Sequence, residues 1–225
     1  MQYMGGKTRL APWLLDIMLK HRKPEQWYIE PFCGGCNVID KVEGKRIAID
    51  SNEYLIAMWK ALQRGWIPPK HISREQYVEV MNNKERYKPQ VVAFTGFCSF
   101  GGKWFAGYPK GKEGRDYTGS MRTVVLTQIE RMQDVKFHCL NALQITSFPK
   151  ESLIYCDPPY AGTTNGYKHR FDSSKFWQWA DKLVSQGHKV FISEKEAPPD
   201  WEKVFERATN NDLNSRTLVE RLFTK

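Results

Sequence analysis

The chain reads WYIEPFCGG over residues 27–35, a short β-prone run that passes directly into a pair of glycines. A second strand-like run, RIAID at 46–50, ends in an acid and is followed by a helical pattern from Leu55 to Leu62. Strand, glycine turn, strand and helix in this order predict an α/β sheet.

Strand-like patterns return after a long interruption. Three β-prone runs follow it, at 135–139, 153–156 and 189–193. A helix that Gly187 ends is expected between the last two of these runs. In the interruption, helical segments surround a stretch rich in glycine and aromatic residues. We therefore predict that residues 1–54 and 135–225 form one sheet domain, with 55–134 as a helical insertion packed against it.

The composition favours a polyanionic partner. The sequence has 34 Lys and Arg against 25 Asp and Glu, a formal net charge of +9 at pH 7. Such an excess favours nucleic acid, although a modest positive charge also serves solubility. An odd number of cysteines and no signal peptide favour a reducing cytoplasm. No apolar run approaches the roughly 20 residues of a membrane span, so no membrane association is expected.

The strongest chemical signal is IYCDPPY at 154–160, an apolar strand that ends in an acid, two prolines and an aromatic. Pro158 and Pro159 lack N–H groups and restrict φ, so the loop is stiff and its carbonyls stay free to accept hydrogen bonds. The amino nitrogen of a nucleobase is a poor nucleophile unless acceptors hold its N–H groups, and Asp157 and the Pro158 carbonyl can supply them. Tyr160 offers a ring on which an extruded base can stack, a contact of about 1–3 kcal/mol.

The same four residues could form only a turn, because Asp and Pro are common turn residues. Their position after a hydrophobic strand favours a site, since open α/β sheets bind ligands at the carboxyl ends of their strands. Gly34 and Gly35 follow the first strand, where glycines let a cofactor approach the backbone. Asp50 ends the second strand, where nucleoside-binding sheets keep an acid for the ribose hydroxyls, although it could also be a plain helix cap.

Cys33 and Cys36 flank the glycine pair and are interpreted as small buried thiols. A tetrahedral zinc site needs four ligands, and no second Cys or His pair stands at suitable spacing. A redox dithiol is disfavoured because the intervening residues are two glycines of a cofactor loop. No metal site is predicted.

Taken together, these motifs resemble the Dam-like DNA adenine N6-methyltransferases, particularly their compact bacteriophage-type members. Four segments carry the likeness: YMGGK at 3–7, EPFCGG at 30–35, DSN at 50–52 and the catalytic tetrapeptide DPPY at 157–160. The resemblance covers nearly the whole chain. It implies a Rossmann-like, S-adenosylmethionine-dependent methyltransferase sheet, with 1–54 and 135–225 as the catalytic domain and 55–134 as the target-recognition region.

By this resemblance, residues from all of these motifs would hold S-adenosylmethionine. The implied set is Tyr3, Gly5, Gly6, Lys7, Glu30, Pro31, Phe32, Gly34, Gly35, Asp50, Asn141 and Asp157. Asn141 stands where many relatives carry an acid that binds the cofactor adenine, and its amide carbonyl can still accept that bond. Tyr3 stands where better-known relatives carry tryptophan, which has a larger aromatic face.

Aromatic, glycine and basic residues interleave in the insertion, which suits DNA binding because rings stack and cations neutralise phosphates. The alternative is an aromatic core beside solvated charges. A second basic stretch at 168–170 could contact DNA near a flipped base or be an ordinary loop. The predicted DNA contacts are Lys103, Trp104, Tyr108, Lys110, Lys112, Arg115, Arg122, Lys168 and Arg170.

The sequence therefore predicts a site-specific enzyme that transfers a methyl group from S-adenosylmethionine to N6 of adenine in double-stranded DNA, with Asp157 orienting the amino group. Restriction–modification is the expected setting. Two alternatives keep the chemistry and change the acceptor to cytosine N4 or to a protein glutamine; by the resemblance, Asp at the first tetrapeptide position favours adenine. A DNA-binding protein without activity is a third alternative, which the intact Lys7, Asp50 and Asp157 argue against.

Overall fold

The computed structural model of the protein describes residues 1–109, 116–160, 171–211 and 216–225. In these ranges, six α-helices accompany the strands of one sheet. The helices are α1 (Ala11–Leu19), α2 (Glu53–Gln63), α3 (Arg74–Asn82), α4 (Pro89–Phe97), α5 (Tyr117–Glu130) and α6 (Ser173–Ser185). The strands are β1 (Tyr28–Glu30), β2 (Arg46–Asp50), β3 (Lys136–Cys139), β4 (Leu153–Cys156), β5 (Lys189–Ser193), β6 (Glu202–Asn211) and β7 (Arg216–Thr224).

The described sheet has seven strands in the order β3-β2-β1-β4-β5-β7-β6. The strands from β3 to β5 are parallel, whereas β7 runs antiparallel to both β5 and β6. After β1 the chain adds β2 and then β3 on one side of it. The chain then returns to add β4 and β5 on the other side of β1, so the strand order reverses between β1 and β4. The predicted Rossmann-like α/β sheet is confirmed, and such a reversal is where open α/β sheets bind ligands.

Both faces of the sheet are covered by apolar clusters. Successive residues of a strand point to opposite faces, so neighbours in one strand belong to different clusters. Tyr28 of β1 faces a core that it shares with Leu14 of α1 and Leu55 of α2. Its neighbour Ile29 faces a second core that contains Phe176 of α6. Tyr28 and Ile29 are fully buried, as strands covered on both faces require.

The predicted elements occur with small differences at their ends. Apolar residues at helical spacing predict an opening helix over 8–22, and α1 is shorter than that. The five predicted strands agree to within a residue or so. At the start of α3, Ser73 Oγ accepts a hydrogen bond from Gln76 N at 3.2 Å and Gln76 Oε1 accepts one from Ser73 N at 2.9 Å, which together form a capping box. Gly187 follows α6 with φ +85°, a conformation that favours glycine at a helix end.

The described residues between β2 and β3 are largely helical, and they pack against the sheet. The first of these helices, α2, reaches the sheet directly, since the Trp59 ring stacks on Phe137 of β3 with the ring centroids 6.2 Å apart. The side chain of Gln63 at the end of α2 donates to the Val135 carbonyl at 2.9 Å. These two contacts join α2 to the sheet. The predicted boundary between sheet domain and insertion at residue 55 remains a prediction.

The hairpin of β6 and β7 is an addition that sequence patterns did not predict. The pairing of β7 with β5 ends at Leu222 opposite Ser193. The pairing of β7 with β6 continues further, to Arg216 opposite Asn211. A two-stranded arm therefore extends past the carboxyl edge of the parallel strands.

Within the described ranges, no helix is long and apolar enough to cross a membrane.

Candidate active site

The glycine loop, Asp50 and the Asp157 loop meet at the carboxyl edge of the sheet. Ile29 of β1 pairs with Ile154 of β4, so the loops that follow these two strands begin side by side. On the other side of β1, β2 ends at Asp50. Parallel pairing thus brings the three strongest sequence motifs to the point where the strand order reverses.

Asp50 ties the glycine loop to the end of β2. Its Oδ2 accepts a hydrogen bond from Gly34 N at 3.0 Å, and its Oδ1 accepts one from Asn52 N at 2.9 Å. Burial raises the pKa of the Asp50 carboxyl above its ordinary value, although these backbone donors act in the opposite direction. Asp50 is therefore not the helix cap itself, because Asn52 caps α2 by accepting from Leu55 N at 3.2 Å.

Tyr3 packs directly on the glycine loop. A Cβ added to Gly34 would lie 2.8 Å from Tyr3 Cε1, and one added to Gly35 would lie 2.7 Å from Tyr3 Cβ. The Tyr3 carbonyl accepts from Gly6 N at 2.9 Å, so the start of the chain turns back beside the loop. Glycines are needed here because no side chain fits under the Tyr3 ring.

We expect Gly34→Ala to weaken S-adenosylmethionine binding. Gly34 has φ +44°, and an alanine there would also displace the Tyr3 ring. The backbone strain costs roughly 1–2 kcal/mol, and the shifted loop should raise Kd at least about tenfold. Gly65→Ala is the control, because φ there is +84° but nothing lies within 4 Å of the added Cβ. Calorimetry that gives both variants the same Kd would contradict this role of the glycine loop.

Gln128 of α5 holds the glycine loop from the insertion side. Its Nε2 donates to the Gly35 carbonyl at 3.2 Å and to the Cys36 carbonyl at 3.3 Å, and the side chain is buried. No sequence pattern pointed to this glutamine, since it lies far along the chain inside an otherwise ordinary helix. The insertion therefore supports the predicted cofactor loop directly.

Lys7 joins the start of the chain to the Asp157–Tyr160 tetrapeptide. Its Nζ lies 3.1 Å from Asp157 Oδ1 and donates to the Gly5 carbonyl at 3.1 Å. A third group, Glu220 Oε2 of β7, lies 3.5 Å from the same ammonium. The Lys7 side chain is only 5% exposed, so this is a largely desolvated cluster of one cation and two carboxylates.

Burial and neighbouring charges perturb the titration of this cluster. Burial raises the pKa of the Asp157 carboxyl to about 6 although Lys7 lowers it, and Glu220 and Glu194 raise it further. Burial lowers the pKa of the Lys7 ammonium, but the two carboxylates outweigh that effect and hold the pKa above its ordinary value. Displaced pKa values of this kind in one cluster are typical of functional sites.

Tyr160 completes the cluster with its ring and its hydroxyl. The hydroxyl donates to Glu220 Oε2 at 2.6 Å, and Lys7 Nζ lies 4.8 Å from the ring centroid. The ring is thereby held at both its edge and one of its faces.

Glu30, Pro31 and Phe32 are buried or partly buried beside the glycine loop. Glu30 accepts a hydrogen bond from the Tyr28 hydroxyl at 2.9 Å, and burial raises the pKa of its carboxyl well above the ordinary value. The Phe32 ring packs edge-on against Phe176 of α6, with centroids 5.8 Å apart. Contact of these three residues with a cofactor remains a prediction.

Asn141 lies at the end of the sheet, after β3. Its side chain is exposed, and its Oδ1 accepts from Leu143 N at 3.1 Å, which caps a short helical turn. A carbonyl oxygen can accept two hydrogen bonds, so the predicted contact with the cofactor adenine is compatible with this cap.

The predicted DNA-contacting residues of the insertion that the structure describes fall into two groups. Lys103 is exposed. Trp104 instead packs among rings, with its centroid 5.0 Å from that of Phe97, while the Tyr108 hydroxyl donates to the Ile72 carbonyl at 2.9 Å. Arg122 Nε donates to the Pro68 carbonyl at 3.0 Å. DNA contact by any of these four residues remains a prediction. Lys110, Lys112, Arg115, Lys168 and Arg170 lie outside the described residues.

The interpretation of Cys33 and Cys36 as buried thiols is confirmed. Both are free and buried, and burial raises the pKa of each thiol, which keeps it protonated and unreactive. In the part of the chain that the structure describes, no group of three or more His, Cys, Asp or Glu side chains is arranged to hold a metal ion.

Comparison with known protein families gives a match over most of the chain. The family described as "D12 class N6 adenine-specific DNA methyltransferase" matches residues 3–204.

Individual relatives are more distant. The type II methyltransferase M.FokI of Planomicrobium okeanokoites is 24% identical over 205 residues, which cover 79% of this chain but 31% of that protein. The DNA adenine methylase of Salmonella typhi is 25% identical over 225 residues, which cover 86% of this chain and 79% of that protein. Among solved structures, TrmN from Thermus thermophilus aligns with a TM-score of 0.43 and 10% identity over 96% of this chain and 48% of that one.

Proposed function

The chain belongs to the D12 class N6 adenine-specific DNA methyltransferases, and from that premise we propose that it methylates N6 of adenine in DNA with S-adenosylmethionine as methyl donor. The observation that supports this most is the 3.1 Å pair of Lys7 with Asp157 beside the glycine loop, where the strand order reverses. A partly buried acid is thus held next to the expected cofactor site, where an acceptor base would have to enter.

The residues at the carboxyl edge fit S-adenosylmethionine. The Asp50 carboxylate accepts backbone N–H groups of Gly34, Ser51 and Asn52. Its two oxygens offer about four lone-pair sites, so acceptor capacity remains for a ribose hydroxyl. Gly34, Gly35 and Tyr3 would bound the cofactor on the β1 side. The bound cofactor supplies a methyl group made electrophilic by a sulfonium.

Asp157 would orient the acceptor amino group. With a pKa of about 6 the carboxyl is mostly ionised at neutral pH, so it can accept an N–H of the base amino group. The Pro158 carbonyl is the second acceptor, and the stiffness of the two prolines keeps it in place. Direct displacement then depends on geometry and charge placement, both of which this loop provides.

The base has to leave the DNA stack to reach Asp157, because chemistry on a base atom requires extrusion or single-stranded substrate. The Tyr160 ring would provide the surface on which the base stacks. We assign recognition of double-stranded DNA to the insertion at 55–134 and to the basic stretch at 168–170, on the basis of their cations. A restriction–modification setting and a cytoplasmic location belong to the same proposal.

Methyl transfer to DNA is tested by incubating the protein with methyl-labelled S-adenosylmethionine and either DNA of mixed sequence or an extract of proteins. We expect label in DNA alone, and cofactor binding that calorimetry detects without DNA. Label in protein alone would favour the glutamine alternative, and absence of cofactor binding would favour a DNA-binding protein without activity.

A further inference from the structure

Glu220 reaches the active site from the arm of β6 and β7. Its position on β7 lies beyond Leu222, the last residue of that strand to pair with β5, so its side chain projects over the carboxyl edge. There its Oε2 accepts from the Tyr160 hydroxyl at 2.6 Å and lies 3.5 Å from Lys7 Nζ. The Glu220 side chain is 17% exposed, so both contacts are largely shielded from water.

Two carboxylates therefore compete for one ammonium. Lys7 Nζ is closer to Asp157 than to Glu220, by 3.1 Å against 3.5 Å. A second negative charge at this distance makes ionisation of the first less favourable, because like charges disfavour each other's charged form. Glu220 has this effect on Asp157, and its position next to Tyr160 gives it a second contact with the same loop.

We propose that Glu220 is a positioning residue of the methyl-transfer site, which fixes the Tyr160 ring through its hydroxyl and shares the Lys7 ammonium with Asp157. This inference rests on the proposed function. Because Lys7 also interacts with Glu220, it neutralises Asp157 less than it would if Asp157 were its single carboxylate partner. Asp157 is therefore a better hydrogen-bond acceptor. By holding the Tyr160 hydroxyl, it sets the plane on which the base stacks.

The two contacts can be separated by substitution. Glu220→Gln keeps an oxygen that can accept from Tyr160 but removes the charge, whereas Tyr160→Phe keeps the ring and all charges but removes the hydroxyl. The titratable and charged groups around Asp157 are Lys7, Glu30, Tyr155, Cys156, Tyr160, Glu194 and Glu220. Among these, only Glu220 changes charge in the first variant.

We expect Glu220→Gln to lower the pKa of Asp157. Removal of the negative charge leaves Lys7 to Asp157 alone, which favours the carboxylate and should move the acidic limb of kcat to lower pH by about one unit. Tyr160→Phe should leave that limb in place and lower kcat about tenfold through misorientation of the base. Glu206→Gln is the matched control, since Glu206 is an exposed glutamate of β6 paired with Lys203 and Arg221.

The test is a carbon-detected NMR titration of the Asp157 carboxyl in the wild type, Glu220→Gln, Tyr160→Phe and Glu206→Gln proteins, alongside kcat against pH. A lower midpoint in Glu220→Gln alone, matched by the acidic limb of kcat, supports the proposal. The same midpoint in Glu220→Gln and the wild type would overturn it. The titration needs no substrate, so a protein that methylates nothing yet shows the shift would contradict the proposed function and leave the coupling of Glu220 to Asp157 standing.

Discussion

Asp157→Asn should lower kcat for methyl transfer by about 10²–10³-fold, the size of effect that follows the loss of one charge-stabilising group in an active site. Asparagine has the shape of aspartate, but its amide has one acceptor oxygen and no charge. It would hold the base amino group less firmly and leave Lys7 with Glu220 as its carboxylate partner in the described cluster. The cofactor Kd should change much less than kcat, because Asp50 and the glycine loop are untouched.

Asp200→Asn provides the matched control for this variant. Asp200 precedes β6, on the amino side of the sheet, where it pairs with Lys225. The same loss of charge at that surface should leave kcat unchanged. Single-turnover rates at saturating cofactor and DNA distinguish the variants, and an Asp157→Asn protein as fast as Asp200→Asn would rule out Asp157 as the group that orients the base.

Lys7→Met should produce the largest loss of stability, about 3–5 kcal/mol at neutral pH, because breaking a buried pair leaves an uncompensated charge. Here the variant leaves two neighbouring carboxylates, Asp157 and Glu220, without their shared cation. Urea unfolding measures the change. Lys225→Met, at an exposed pair with Asp181 and Asp200, should cost far less, because water screens surface ion pairs and they contribute little to stability.

The loss in Lys7→Met should shrink as pH falls. Without Lys7 the folded-state pKa of Asp157 rises further above its unfolded value, so the folded variant binds a proton that the unfolded chain does not. The stability of Lys7→Met relative to wild type therefore increases as the pH is lowered from neutral to about 5. A deficit that stays constant over this range, or one as small as that of Lys225→Met, would show that Lys7 does not neutralise the cluster.

Much of the parallel sheet could be predicted from the sequence, because its strands are buried runs bounded by clear turn signals. Asp50 and Gly34 were predictable for the same reason, since Asp50 ends one such run and Gly34 lies in the loop after another. The nearness of Lys7 to Asp157 was not visible in spacing, and it came from the resemblance to a family. Parallel pairing of β1 with β4 brings the glycine loop to the Asp157 loop, and Lys7 reaches Asp157 because the start of the chain packs on that glycine loop through Tyr3.

Glu220 and Gln128 could not be predicted, because each acts across a long separation in sequence. The position of Glu220 depends on how far the β6–β7 arm extends past β5, which a strand pattern alone does not give. Gln128 lies on one face of α5, and the choice of face depends on packing with the glycine loop. Trp104 illustrates the opposite difficulty: its aromatic and basic neighbours suggested a stacking surface, whereas its ring packs against Phe97 and Phe105.

The most direct test of the central claim is the identity of the methylated nucleoside. DNA modified by the wild-type protein is digested to nucleosides and separated by chromatography with mass detection, with Asp157→Asn treated in parallel. We predict N6-methyladenine in the wild-type sample and almost none with Asp157→Asn. Methylcytosine as the product, or equal N6-methyladenine from both proteins, would contradict the assignment of Asp157 and its loop to adenine methylation.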